Sequence, residues 1–216
     1  MLLANVQPVA SAVRSGASIR RGRKLDEHPC FASVDDLPEA PDAAFVAVPG
    51  SVVPTVVSQL HQRGAGGVVC YSAGFGERGG DGEALEQKLI EVSGDLALVG
   101  PNVFGLLNYI QGAHLWPYSH GGQRVTRGPA IISQSGMLSG YLLTNRRSVN
   151  FSYVIGAGNQ SVLGVEDYLE ALLTRSEVPR LRYLSRIASR HSAVCESRPE
   201  RTGPKHTAGR AQGRPL

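Results

Sequence analysis

From residue 43 to residue 173 the chain alternates short, wholly apolar runs with longer stretches in which apolar residues recur every three or four positions. Residues 43–48 (Ala-Ala-Phe-Val-Ala-Val) contain no polar side chain and stop at Pro49-Gly50, which predicts a strand covered on both faces. Val53, Val56, Val57 and Leu60 then share one side of a helix predicted over 52–63, with Pro54 in its first turn and Gly64, Gly66 and Gly67 at its end. A second buried strand is predicted at 68–71, an amphipathic helix at 83–92 and a third strand at 96–99, closed by Gly100-Pro-Asn102. Residues 110–127 break the pattern with Trp116-Pro and Gly121-Gly and read as an excursion between domains. The pattern restarts with a strand at 129–132, a helix at 137–146, a strand at 151–155 and a helix at 165–173. Strands and helices in this order predict an α/β fold built on a parallel, doubly wound sheet.

After residue 178 the apolar periodicity fades. Residues 179–216 hold nine Lys/Arg against two Asp/Glu, so the net charge of +4 resides in this tail and the preceding part is mildly acidic. A basic, aperiodic segment is expected to be solvated and disordered rather than a nucleic-acid module. Its abrupt onset, rich in Arg, Ser and Pro, is what an out-of-frame continuation of a GC-rich gene would encode. Cys30, Cys70 and Cys195 have no metal-ligand spacing and are expected to be reduced thiols of a cytoplasmic protein. No run reaches the roughly 18 apolar residues that a bilayer span requires, and the first residues do not read as a signal peptide. No metal site, membrane association or nucleic-acid partner is expected.

Four predicted strands run into turns rich in glycine or serine: Val48-Pro-Gly-Ser51, Tyr71-Ser-Ala-Gly74, Ile132-Ser-Gln-Ser-Gly136 and Ile155-Gly-Ala-Gly158. In a parallel sheet such turns gather at the carboxyl edge, where ligands bind. Glycine permits close backbone approach, and unpaired N–H groups at a helix start attract phosphate. Any one of these turns is equally explained by a tight strand-to-helix connection, and Ser133 by a helix cap; the four together point to a phosphorylated ligand. Cys70 fits a strand core and His61 a solvent-facing helix position. His114 and His120 fit a surface loop around Trp116, and Glu166, Asp167 and Glu170 a solvated helix face. None of these is assigned a catalytic role.

Five blocks, in order, carry a family resemblance: 31–49 (from Phe31 to Pro49), Cys70-Tyr-Ser-Ala-Gly-Phe75, Gly100-Pro-Asn102 with Gly105 and Asn108, Ile131-Ile-Ser-Gln-Ser-Gly136, and Tyr153-Val-Ile-Gly-Ala-Gly-Asn159. Over residues 22–178 the chain resembles the ADP-forming acyl-CoA (acetate–CoA) synthetases, relatives of the succinyl-CoA synthetase alpha subunit. The resemblance implies a CoA-binding, Rossmann-like domain at 22–125, then part of a flavodoxin-like domain at 126–178, with residues 1–21 unassigned and 179–216 as the tail. It implies CoA contacts at Val48, Pro49, Gly50, Ser51, Ser72, Ala73, Gly74 and Asn102. It implies phosphate contacts at Ser133, Gln134, Ser135 and Gly136. Such enzymes join a carboxylic acid to CoA at the expense of ATP, through an acyl phosphate and a phosphohistidine; ATP/ADP and Mg enter through an ATP-grasp part, here expected in a partner chain.

Relatives open with a strand and a glycine-rich loop that the residues before Gly22 do not supply. The Ser-His-Thr-Gly-like turn of the phosphorylated histidine is matched only superficially, by Lys205-His-Thr-Ala-Gly209 around His206. The chain therefore reads as a truncated ligase region that binds CoA without independent turnover. The alternatives are a non-catalytic CoA or nucleotide module and an NAD-dependent oxidoreductase. The latter lacks the G-x-G-x-x-G turn with its downstream acidic residue.

Overall fold

A computed structural model describes residues 31–144 and 149–185, together with the backbone of three short strands, β1 (Lys24–Leu25), β2 (His28–Pro29) and β11 (Cys195–Ser197). Residues 1–21, His206 and the tail beyond residue 185, apart from β11, lie outside the described residues.

The first unit is a parallel sheet in the order β3 (Ala44–Val46), β4 (Val68–Cys70), β5 (Leu98–Val99). Helices α1 (Val53–Gln62) and α2 (Asp81–Ser93) connect these strands. The apolar side of α1 packs Val53, Val56, Val57 and Leu60 against Val68 and Cys70, with Phe75, Leu89 and Leu98 completing this core. Alternation along the strands sends Val69 and Val99 to the opposite face. That face is covered by the second unit: Val69 and Val99 share a core with Val103, Leu106, Ile155, Tyr168 and Leu172. Continuous apolar strands here reflect burial on both sides, with one side supplied from further along the chain.

The second sheet runs β11-β10-β8-β9-β6-β7, with β6 at Leu106–Asn108, β7 at Ala113–Leu115, β8 at Ala130–Ser133, β9 at Tyr153–Gly156 and β10 at Leu181–Leu184. β10, β8 and β9 are parallel, whereas β6 is antiparallel to β9 and β7 to β6. Helix α4 (Val165–Leu173) lies on the face shared with the first unit. The other face holds Leu107, Ile131, Val154 and, from α3 (Gly136–Thr144), Leu143.

Two expectations are corrected. The segment 106–115, expected within a first domain ending at 125, is a hairpin of the second sheet; its turn is held by Asn108, whose carbonyl side chain accepts from the N–H groups of Ile110 and Gln111. Three-residue strands around a turn offer too little alternation to stand out. The fold also continues past residue 178: Leu181–Leu184 pairs parallel with Ala130–Ser133, and Leu181 is buried. Its sequence, Leu-Arg-Tyr-Leu, buries Leu181 and exposes Arg182, so it lacks the continuous apolar run of the strands covered on both faces. Before β3, residues 33–37 form hydrogen-bonded turns, Asp36 N–H to Ser33 and Leu37 N–H to Val34.

Candidate functional site

The carboxyl ends of both sheets open on one cleft of about 830 Å³. Its walls come from the loop after β4 (Tyr71, Ser72, Ala73, Glu77), the loop after β5 (Asn102, Val103, Phe104), the turn after β8 (Gln134, Ser135, Gly136, Met137) and the loop after β9 (Gly158, Asn159). The floor is the segment 100–105, which is bonded to both units. Asn102 N–H donates to the Ser72 carbonyl, while Asn159 and Ser161 N–H groups donate to Pro101 and Gly100. Gly156 N–H reaches Gly105, and Ala157 N–H reaches Ser133. Close packing of these two loops requires Gly158: its φ is +58°, and a Cβ there would run into the Pro101 carbonyl oxygen.

Of the residues expected to bind CoA, Ser72, Ala73 and Asn102 line the cleft. Val48, Pro49, Gly50 and Ser51 are not among its lining residues, though Val48 and Gly50 pack against the wall. The buried Ser72 hydroxyl donates to the Val48 carbonyl at 2.5 Å, and Gly50 abuts the Ala73 carbonyl so closely that a Cβ would sit 2.9 Å from it. Gly74 lies in the loop, but its N–H is already used: it donates to Glu77 Oε1 at 2.5 Å, Phe75 N–H donates to the same carboxylate, and Gly76 N–H donates to Glu86 Oε2 at 2.5 Å. The donor-rich character expected of this loop is therefore spent on its own carboxylates.

Both carboxylates also cross to the second unit. Asn159 Nδ2 donates to Glu77 Oε2 at 2.5 Å, and the Ser161 hydroxyl donates to Glu86. Burial raises the Glu77 pKa, but the hydrogen bonds from Gly74, Asn159 and Phe75 outweigh it and hold the carboxyl below its ordinary value.

Of the residues expected to hold phosphate, Gln134, Ser135 and Gly136 line the cleft at the start of α3. Gly136 and Met137 occupy the first turn of α3, where backbone N–H groups have no partner within the helix and face the positive end of its dipole. Ser135 caps this helix, its hydroxyl accepting from Leu138 N–H at 3.4 Å. Ser133 does not reach the cleft: it is fully buried, and its hydroxyl accepts from Ser135 N–H and donates to the Ser135 carbonyl. It shapes the turn.

Other candidates fall as follows. Cys70 is fully buried, and burial lifts its thiol pKa to about 12. His61 bonds Asp95 at 2.8 Å, outside the walls of the cleft. His114 and His120, expected as loop residues, stack on one another (4.5 Å, edge to face) and on Tyr109, whose hydroxyl meets His120 Nδ1 at 3.0 Å. Burial lowers both imidazole pKa values, and the charge of His120 adds to the effect on His114. Glu166 and Glu170 are exposed, and Asp167 accepts from Gly164 N–H at the start of α4. Among the described residues no group of His, Cys, Asp and Glu is arranged to hold a metal ion, and no helix is long and apolar enough to cross a membrane.

The sequence did not single out Glu77, Glu86, Tyr71 or Phe104. Glu77 follows the glycine loop by one residue, a position from which a carboxylate can fold back on the loop's N–H groups; Glu86 acts across ten residues and carries no local signal.

Two family models match the chain in succession. Residues 17–106 match the family model of a CoA binding domain, and residues 127–181 that of a succinyl-CoA ligase like flavodoxin domain. This chain joins a CoA-binding domain to a succinyl-CoA-ligase-like flavodoxin domain. Its homologues are ADP-forming acyl-CoA synthetases. It is 38% identical over 150 residues to a trans-feruloyl-CoA synthase of an unknown prokaryotic organism, covering 66% of this chain and 21% of that one. It is 33% identical over 155 residues to acetate–CoA ligase (ADP-forming) II of Archaeoglobus fulgidus, covering 67% and 22%. It is 32% identical over 163 residues to the alpha subunit of acetate–CoA ligase (ADP-forming) I of Pyrococcus furiosus, covering 73% and 34%. Among solved structures it superposes on the dinucleotide-forming acetyl-coenzyme A synthetase 1 of Candidatus Korarchaeum cryptofilum, in complex with phosphate and ADP, with a TM-score of 0.65 and 27% identity. That match covers 74% of this chain and 34% of the other. The chain thus spans between about a fifth and a third of the length of these curated relatives.

Proposed function

We propose that this chain supplies the CoA cleft and the phosphate-holding turn of an acid–thiol ligase, which forms acyl-CoA from a carboxylic acid, CoA and ATP. The observation that carries the reading is that one cleft draws its walls from the carboxyl ends of strands in both units. One wall offers the small, polar surface of Ser72, Ala73 and Asn102 to a pantetheine-bearing nucleotide, and the other offers the start of α3 to a phosphoryl group. Backbone donors at a positive helix end suit a phosphoryl dianion, and the capping hydroxyl of Ser135 orders them. The N–H groups of residues 74–76 are spent on carboxylates, and those of Gln134 and Ser135 on Leu184 and Ser133, which argues that the phosphate sits at the first turn of α3, at Gly136 and Met137, and not on the loop after β4.

The acyl phosphate and phosphohistidine route, the Mg-dependent use of ATP and an ATP-grasp partner chain are part of this proposal. The name of the Pyrococcus furiosus relative, a subunit alpha, favours a partner. No histidine lines the cleft among the described residues, so the phosphoacceptor is drawn from outside them. That feature also favours a second reading, a module that binds CoA without turnover.

Titration calorimetry of the full chain with CoA is the direct test; saturable heat is expected, and its absence overturns both readings. Acyl-CoA formation from acid, CoA and ATP after addition of an ATP-grasp subunit, with none before, separates the ligase from the binding module.

A further inference from the structure

Beside the phosphate turn, the cleft wall changes from small polar groups to aromatic rings. Tyr71 and Phe104 both line the cleft, with ring centroids 6.4 Å apart and planes inclined by 32°. Neither ring is free to swing. Phe104 is gripped edge-on by Trp116 at 5.7 Å and by Tyr118 at 5.2 Å, and the Tyr71 hydroxyl is bonded to that of Tyr118 at 2.8 Å. Two glycines of α3 make room for the Phe104 ring: a Cβ on Gly136 would stand 3.1 Å from it, and one on Gly140 3.6 Å. Met137, 81% exposed on the first turn of α3, adds a polarizable side chain to the same wall. A cleft serving only a two-carbon acid has no use for two braced rings, which prefer offset or edge-to-face partners at 4.5–7 Å.

We propose that this aromatic shelf holds the acyl group, and that the acid carried by this chain is an aryl-substituted carboxylic acid rather than a short aliphatic one. The proposal rests on the CoA and phosphate reading above. On that reading the group beside the phosphate turn is the one that leaves the phosphoryl group for the thiol. The nucleobase of CoA belongs at the far end of the pantetheine arm. Phe104 touches the first residue of α3, so the shelf sits on the acyl side of the cleft.

The test compares CoA, acetyl-CoA and trans-cinnamoyl-CoA by titration calorimetry with the full chain. Quenching of Trp116, the single tryptophan, gives a second readout next to the shelf. Cinnamoyl-CoA is expected to bind about five- to tenfold more tightly than acetyl-CoA. In Phe104→Leu, which keeps an apolar side chain against Trp116, the preference is expected to fall to about twofold or less, with circular dichroism reporting an intact fold. Equal affinities of the wild-type chain for the two thioesters overturn the aryl assignment while leaving the CoA reading intact. Equal weakening of CoA and cinnamoyl-CoA by Phe104→Leu also overturns it, since the shelf then takes the nucleobase. Failure of all three ligands to bind removes the CoA reading itself.

Discussion

Asn159, on the loop after β9, donates its side-chain N–H to Glu77, on the loop after β4, at 2.5 Å, and so ties the two units across the mouth of the cleft. The same carboxylate accepts from Gly74 and Phe75 N–H groups, which makes Glu77 the shared anchor of loop and neighbour.

Glu77→Ala is therefore expected to cost about 1–2 kcal/mol at neutral pH, allowing for the exposure of the carboxylate. For a chain of this size that is a fall in Tm of about 2–8 °C. The folded-state pKa lies below the ordinary value of 4.5, so the native chain favours the ionised form. The contribution is present above the ordinary value and is lost as pH falls through the folded one. Melting curves of both proteins at about pH 7 and about pH 3 check this; the gap narrows on acidification, and a constant gap argues against the carboxylate's role.

Gly158→Ala forces a side chain into a left-handed backbone and against the Pro101 carbonyl, beneath the cleft floor. A loss of at least about 2 kcal/mol is expected. Urea unfolding reads it as a lower midpoint at unchanged slope, and an unaltered midpoint contradicts the described packing.

The division between what sequence conveyed and what it did not follows the range of the interactions. Apolar runs at Ala44–Val46 and Val68–Cys70, and the stripe Val53, Val56, Val57 and Leu60, are local and were legible as buried strands and a helix face. The gathering of Ser72, Asn102 and Ser135 at one edge follows from parallel topology and was also foreseeable. The Glu86–Ser161 bond, 75 residues apart, and the hairpin added by Leu106–Asn108 to a sheet whose other strands begin at residue 130 depend on how the units dock. The setting of Ser133 was hidden by the same limit: the motif marks the turn, but only packing reveals that this hydroxyl is buried.

His114 and His120 are expected to titrate below the ordinary value of 6.5, because burial disfavours both cations and the pair repels itself once charged. The unfolded chain then binds more protons just below 6.5, so stability falls as pH drops through that region. Imidazole NMR titration checks the midpoints. His120→Gln is expected to raise the His114 midpoint, and an unmoved value excludes the repulsion.

Cys70, protonated up to about pH 12 in the fold and fully buried, is expected to resist alkylation by iodoacetamide in native buffer and to react in guanidinium. Peptide mass mapping distinguishes it from the other two cysteines; native labelling of Cys70 would mean that β4 opens readily.

Leu172, fully buried where α4 meets the first sheet, is expected to cost about 2–4 kcal/mol when replaced by alanine. Limited proteolysis of that variant checks the joint: cleavage is expected to accelerate throughout the region 100–128, whereas an effect confined to α4 itself would limit the role of this side chain to its own helix.

Because Val69 and Val99 find their cover in residues that come later in the chain, the first unit has no complete interior of its own. Severing the chain between the two matched regions would bare a valine-lined sheet face on one product and strip α4 of its seat on the other. Recombination with relatives must therefore move both halves together, and change at the cleft is coupled to the packing that lets the first unit stand.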